Sequence, residues 1–133
     1  MGVSYLLDTH ILLWWVFDDP QLNAICRDII RDPQNRILVS SASAWEIATK
    51  YRIGKLPEAE QLVPQYVQIL RRAKFEELAV TTRHALRAGS IDIAHRDPFD
   101  RMLMAQAELE NFIIITYDEA FHTGLVNVIP QKS

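Results

Sequence analysis

The sequence is poor in the features that settle a protein's class at a glance. It holds one cysteine, Cys26, which excludes an intrachain disulfide and any Cys/His zinc pattern. A reducing cytoplasm is the expected setting. The apolar stretch at residues 11–17 is short and runs into Asp18-Asp19, and the opening Met-Gly-Val-Ser-Tyr carries no basic residue. Neither a secretory signal nor a membrane span is expected. No internal repeat, low-complexity tract or linker interrupts the chain. Basic charge is short too: fourteen Lys and Arg stand against seventeen Asp and Glu, a net charge of −3. A nucleic-acid binder is ordinarily basic, so taken alone this balance argues against nucleic acid. The argument weakens if the acids are gathered into one site.

What is present fits one folded domain over residues 1–133. Of these, 49% are hydrophobic and 23% charged, and a chain of this size buries roughly two-thirds of its unfolded surface without staples. Continuous apolar runs at residues 5–7, 37–39 and 112–115 lack polar alternation, as strands covered on both faces do. Residues 78–80 and 126–129 are weaker strand candidates. Helical spacing appears at residues 22–30, 42–52, 62–72, 83–88 and 99–109, and Gly54-Lys-Leu-Pro57 reads as a turn between two helices. Strands alternating with helices predict an α/β fold with a central, mainly parallel sheet.

In such sheets ligands bind beyond the carboxyl ends of the strands. Asp8 closes the first apolar run, Glu46 lies early in the helix after the second, and Asp118 follows the third; Asp100 opens the helix leading into that third run. Each acid also has a structural reading. Ser43-Ala-Trp-Glu46 matches a capping box, Asp97-Pro98-Phe-Asp100 is a good helix start, and Asp118 suits a turn. Asp8 has no comparable capping duty. Four acids converging on one edge would repel one another unless a cation neutralised them. An oxygen-only donor set suits Mg²⁺ or Mn²⁺, and the chemistry it supports is metal-assisted phosphodiester hydrolysis.

These residues also resemble a known family. Leu7-Asp8-Thr9-His10, Ser43-Ala-Trp-Glu46-Ile, Arg96-Asp-Pro-Phe-Asp100-Arg101-Met-Leu-Met-Ala-Gln106 and Ile115-Thr116-Tyr-Asp118 are similar, in order and spacing, to the motifs of PIN-domain nucleases. The likeness is greatest to the VapC-type ribonuclease toxins of bacterial toxin–antitoxin pairs. The resemblance implies a three-layer α/β/α PIN-like fold and a Mg²⁺-dependent endoribonuclease, with Mn²⁺ as a substitute. It makes Asp8, Glu46, Asp100 and Asp118 the acidic quartet, with Asp8 and Asp100 as direct ligands and Thr116 orienting a ligand or water. It further implies an RNA substrate, a cognate antitoxin protein that docks in part along residues 56–70, and a homodimer.

Other residues carry weaker signals. Arg101 and Arg96 flank the proposed site and are candidate phosphate contacts, in a stretch from Lys50 to Arg101 where ten basic residues outnumber seven acids. His95 reads as a loop histidine that could assist proton transfer, and His10 as a helix-entry or substrate residue. Trp14, Trp15 and Trp45 suit a core or dimer interface better than base stacking, and Cys26 suits the apolar stripe of its helix. Two rivals remain: a phosphoryl-accepting α/β domain and a non-enzymatic interaction module. The first wants a Lys on a late strand, and none lies between Lys74 and Lys132. Setting the four site acids aside turns the net charge from −3 to +1, so the acidity is partly the proposed site itself.

Overall fold

Short strands and helices alternate along the chain in the computed structural model, which describes residues 2–130; residue 1 and residues 131–133, the ends of the expected domain, lie outside the described residues. The strands are β1 (Ser4–Leu7), β2 (Arg36–Ser40), β3 (Glu76–Leu78), β4 (Ile113–Ile115) and β5 (Val128–Ile129). They form one sheet in the order β3-β2-β1-β4-β5, with every pairing parallel. The α-helices are α1 (Thr9–Val16), α2 (Ala24–Arg31), α3 (Ser41–Arg52), α4 (Leu62–Ala73), α5 (Thr82–Ser90) and α6 (Pro98–Glu110). Among the described residues no helix is long and apolar enough to cross a membrane.

Strand alternation divides the core into two layers. Leu7, Ile37, Val39 and Ile115 face one side, where they meet Ile11, Leu12, Cys26, Ile30, Ile47 and Leu62 from the first four helices. Leu6, Leu38 and Ile114 face the other, against Ala88 of α5 and Leu103, Met104 and Ala107 of α6. Because successive side chains point to opposite faces, a strand covered on both sides reads as an unbroken apolar run, which is why β1, β2 and β4 stand out in the sequence. Register follows: Leu6 lies opposite Leu38 on one side and Ile114 on the other.

Local chemistry sets the boundaries. Asn23 accepts a hydrogen bond from the Cys26 amide and starts α2 two residues later than the apolar spacing alone implies. Asp97 accepts from the amides of Phe99 and Asp100, with Pro98 in the first helical position, so α6 opens as its sequence suggests. That helix ends at Asn111, whose left-handed backbone turns the chain into β4. The third strand differs from expectation, running over Glu76–Leu78 and not residues 78–80. Arg36 donates from Nε and Nη2 to both carboxylate oxygens of Glu76 at 2.9 Å, joining β2 to the start of β3. Beyond it side chains take the backbone groups a strand would use: Gln106 donates to the Ala79 carbonyl and the Val80 amide donates to Ser41 Oγ, before Thr81 caps α5 in a reciprocal pair with His84. The last strand is also shorter than residues 126–129.

The core argument predicts a sharp contrast. Leu6→Ala, at a fully buried position on the central strand, is expected to lower unfolding free energy by about 2–5 kcal/mol. Ile25→Ala, on the exposed face of α2, is expected to change it by less than about 0.5 kcal/mol. Denaturant titration of both variants checks this.

Candidate functional site

The strand order reverses direction at β1, which has β2 on one side and β4 on the other. The crevice beyond the carboxyl ends of β1 and β4 is therefore the switch point at which open parallel sheets bind ligands. Asp8 is the first residue after β1 and sits at the N-cap of α1, yet its side chain makes no capping bond. Instead the Thr116 hydroxyl, just past β4, donates to Asp8 Oδ2 at 2.6 Å. The Asp118 amide donates to Thr116 Oγ1 at 3.0 Å, occupying the hydroxyl oxygen as an acceptor so that its proton is directed to Asp8. Asp8 and Thr116 are both buried.

Glu46 lies one turn into α3 and is buried, its side chain only 4% exposed. The expected capping box does not form. β2 passes into α3 without a loop, so Ser40 caps the helix through the Ala42 amide. Ser43 is left to share a 2.9 Å hydrogen bond with the Thr9 hydroxyl at the start of α1. This buried bond ties together the two helix starts that carry Asp8 and Glu46. Lys50, four residues after Glu46, forms an ion pair with Glu46 Oε2; the other oxygen, Oε1, is buried with no hydrogen-bond partner. Beside them a cavity of about 270 Å³ is lined by Thr9, His10, Leu13, Glu46, Lys50 and Lys55, among others.

Asp100, in the first turn of α6, is bonded at Oδ2 by His95 Nε2 at 2.7 Å. His95 is thus not the free loop histidine its position in the sequence suggested. Asp118 is exposed and accepts a hydrogen bond at Oδ1 from the Ala120 amide, opening a short 3₁₀ turn. His95, Asp100 and Asp118 each bring one potential ligand atom to within 4.8 Å of the others.

The acids feel one another. Burial raises the Asp8 carboxyl above its ordinary range; the Thr116 bond and His10 oppose this, and the charges of Glu46 and Asp118 add to it. Asp100 is pushed up to about 6, first by burial, against the His95 bond and with the charges of Asp8, Asp97 and Glu46. Asp8 thus lies in electrostatic range of the other three acids of the expected quartet, and Asp100 of Glu46 as well. The donor set fits a divalent cation: hard carboxylate oxygens with one imidazole, and in Glu46 Oε1 a buried acceptor without a partner among the described residues.

The basic candidates fare differently. Arg96 is exposed. Arg101 is half-buried and its guanidinium is engaged by the backbone, donating to the carbonyls of Ala88, Ile91, Ile93 and His95. The reason lies in the last turn of α5 and the loop that follows it, whose carbonyls lack an intrahelical or sheet partner and take the Arg101 fork instead. Trp14 and Trp15 pack against the core. Trp45 is 65% exposed and meets Phe99 edge-on at 5.0 Å, on the rim of an apolar cavity of about 440 Å³. Lys50 and the Thr9–Ser43 pair are the site residues the sequence argument missed. Only Lys50 left a signal, its four-residue spacing from Glu46. Arg101→Lys, which keeps the charge but loses the fork, is expected to cost about 1–3 kcal/mol of stability without any nucleic acid present, measured by denaturant unfolding.

Comparison with known proteins follows this geometry. The PIN-domain family model matches residues 5–123. Ribonuclease VapC16 of Mycobacterium tuberculosis is 45% identical over 58 residues, a stretch that spans 44% of this chain and 41% of that protein. Among solved structures, VapBC2 from Rickettsia felis, bound to a DNA fragment from its promoter, superposes with a TM-score of 0.69 at 18% identity over 95% of this chain and 97% of that one. DNA-bound VapBC from Salmonella typhimurium gives 0.67 at 17% identity over 95% and 96%. At such identities these two show a shared fold. Since the family match takes in both central strands and every element that carries the acids, the chain belongs to the PIN-domain family.

Proposed function

We propose that this chain is a Mg²⁺-dependent endoribonuclease, with Mn²⁺ as a substitute, and the toxin of a cytoplasmic toxin–antitoxin pair. The observation that carries the reading is the gathering of Asp8, Glu46, Asp100 and Asp118 at the carboxyl-end edge of the sheet, where His95, Asp100 and Asp118 bring ligand atoms within 4.8 Å of one another and Glu46 keeps a buried oxygen unpartnered. The partial identity to a ribonuclease named VapC16 supports the substrate class, and a fold shared with the toxin–antitoxin complex from Klebsiella pneumoniae supports a protein antitoxin as partner. Pairing with a second copy belongs to the same reading, with Trp45, Val80 and Leu86 as exposed apolar side chains available for it.

Asp8, Glu46, Asp100 and Asp118 would hold the ion, with His95 steering Asp100. When bound, such an ion supplies positive charge for a phosphoryl oxygen and a water acidic enough to attack it. The chain's own residues set the stage. Thr116 holds one Asp8 oxygen and leaves the second for the site; Lys50 does the same for Glu46 and His95 for Asp100. Arg96, exposed beside the site, is assigned to the RNA backbone, whereas Arg101 orients the loop that carries His95.

Purified protein is expected to cleave RNA with Mg²⁺ or Mn²⁺ and to lose that activity on chelation. Asp8→Asn should reduce cleavage to background and relieve growth arrest when the chain is expressed without an antitoxin. If the wild type cuts no RNA with either ion and Asp8→Asn grows no better, the reading is wrong. Thr116→Val, which removes the bond to Asp8, is expected to weaken Mn²⁺ binding by about 10–100-fold, read by calorimetry.

Asp100 adds a pH dependence with a definite sign. Its carboxyl sits at about 6 in the folded protein, above the roughly 3.9 of an unfolded chain, so the folded state binds the proton more tightly. Stability of the metal-free protein should therefore rise as pH falls from 7.5 through 6 towards 5. Excess Mn²⁺ should reverse the order, because the ion competes with the same proton. Asp100→Asn should weaken the metal-free trend, leaving the part owed to Asp8, and melt higher than the wild type at pH 7.5. Thermal melts of both proteins across this range, with and without Mn²⁺, check each part.

A further inference from the structure

Lys50 is the one lysine ion-paired with an acid of the quartet among the described residues. It projects from α3 one turn beyond Glu46 and is only 36% exposed along its side chain. Its ammonium binds Glu46 Oε2 and is attracted as well by Asp97 and Asp100. The partner carboxylate is nearly sealed from water and keeps its second oxygen bare. An ordinary exposed i,i+4 pair would do neither of these things, since water would satisfy both oxygens and screen the charge.

We infer that Lys50 is the resident counter-cation of the acid site, a positioning residue that neutralises Glu46 in the metal-free protein and sets how tightly a divalent ion can enter. The inference rests on the metal-dependent reading of that site. Removing one partner of a buried ion pair leaves the other uncompensated. A carboxylate as enclosed as Glu46, in range of Asp8 and Asp100, therefore needs a cation before any metal arrives. The same fixed charge opposes the incoming ion: a unit charge a few ångströms from a divalent ion shifts its binding by about tenfold even at the dielectric of water. Lys50 lies on the wall of the cavity of about 270 Å³ beside Glu46. An ion held at the second Glu46 oxygen would share that carboxylate with the Lys50 ammonium and bind against its charge.

The test is calorimetric titration of the whole metal-free chain with MnCl₂ alone. Lys50→Met keeps the apolar stem and removes the charge, and Lys50→Arg keeps the charge. Lys50→Met is expected to bind Mn²⁺ at least about tenfold more tightly than the wild type, equivalent to about 1.4 kcal/mol, and to melt lower when metal-free. Lys50→Arg is expected to resemble the wild type in both. Should Lys50→Met not fold, Lys50→Gln, which is uncharged but still able to donate to Glu46, carries the same comparison. Unchanged or weaker Mn²⁺ binding in the uncharged variant, with the wild type binding normally, overturns the role of Lys50 and leaves the metal reading standing. No binding heat in any of the proteins overturns both. Heat in the uncharged variant alone supports the inference, the ammonium then closing the site to the ion.

Discussion

The hydrogen bond from Thr116 to Asp8 joins the ends of the two central strands, and the acid site is arranged around it. At 2.6 Å it is short, as bonds to a charged acceptor are, and it lies where the sheet changes winding direction. β1 and β4 are adjacent only because the chain first winds outward through β2 and β3 and then returns by way of α5 and α6. Residues 108 positions apart are thereby brought within bonding reach. The parallel topology and the acid site are thus one arrangement, since every strand delivers its carboxyl end, and the helix starts that follow, to the same edge.

Holding carboxylates together costs stability, and the molecule offsets the cost locally. Each acid has one oxygen engaged: Asp8 by Thr116, Glu46 by Lys50, Asp100 by His95 and Asp118 by a backbone amide. The remaining strain shows as raised carboxyl values at Asp8 and Asp100. This also accounts for the charge balance. A net charge of −3 opposes a polyanion, but four of the acids behind it lie together at one edge of the sheet. On the proposed reading, recognition of RNA would depend on a cation at that edge as much as on surface lysines and arginines.

Much of this was legible in the sequence because buried parallel strands announce themselves. The runs ending at Leu7 and Ile115 located the two central strands, and the acids that follow them located the edge. β3 was misplaced because an edge strand is defined by its pairing: Glu76 and Glu77 carry no apolar signal, and the pairing depends on Arg36, forty residues away. Ser43-x-x-Glu46 was misleading because the motif describes a helix preceded by a loop, and here a strand precedes it directly. Arg101 could not be read from its neighbours, since what it bonds is the backbone of a loop whose path no local pattern specifies. His95 and Asp100 lie five residues apart across that same loop, outside any helical spacing that would pair them.

Capping a helix start and standing at the shared edge are not alternatives for these acids. Asp97 caps α6 and thereby places Asp100 in its first turn; Asp118 caps a 3₁₀ turn and still brings a carboxylate oxygen within 4.8 Å of one of Asp100. Helix starts carry positive potential from their unpaired amides, which favours carboxylates there. An edge that gathers several such starts therefore lowers the cost of concentrating acids. The exception is instructive. Glu46 is far enough into α3 that no orphan amide reaches it, and it is the acid that needs Lys50. Where backbone dipoles suffice the fold uses them, and where they do not it places a full positive charge.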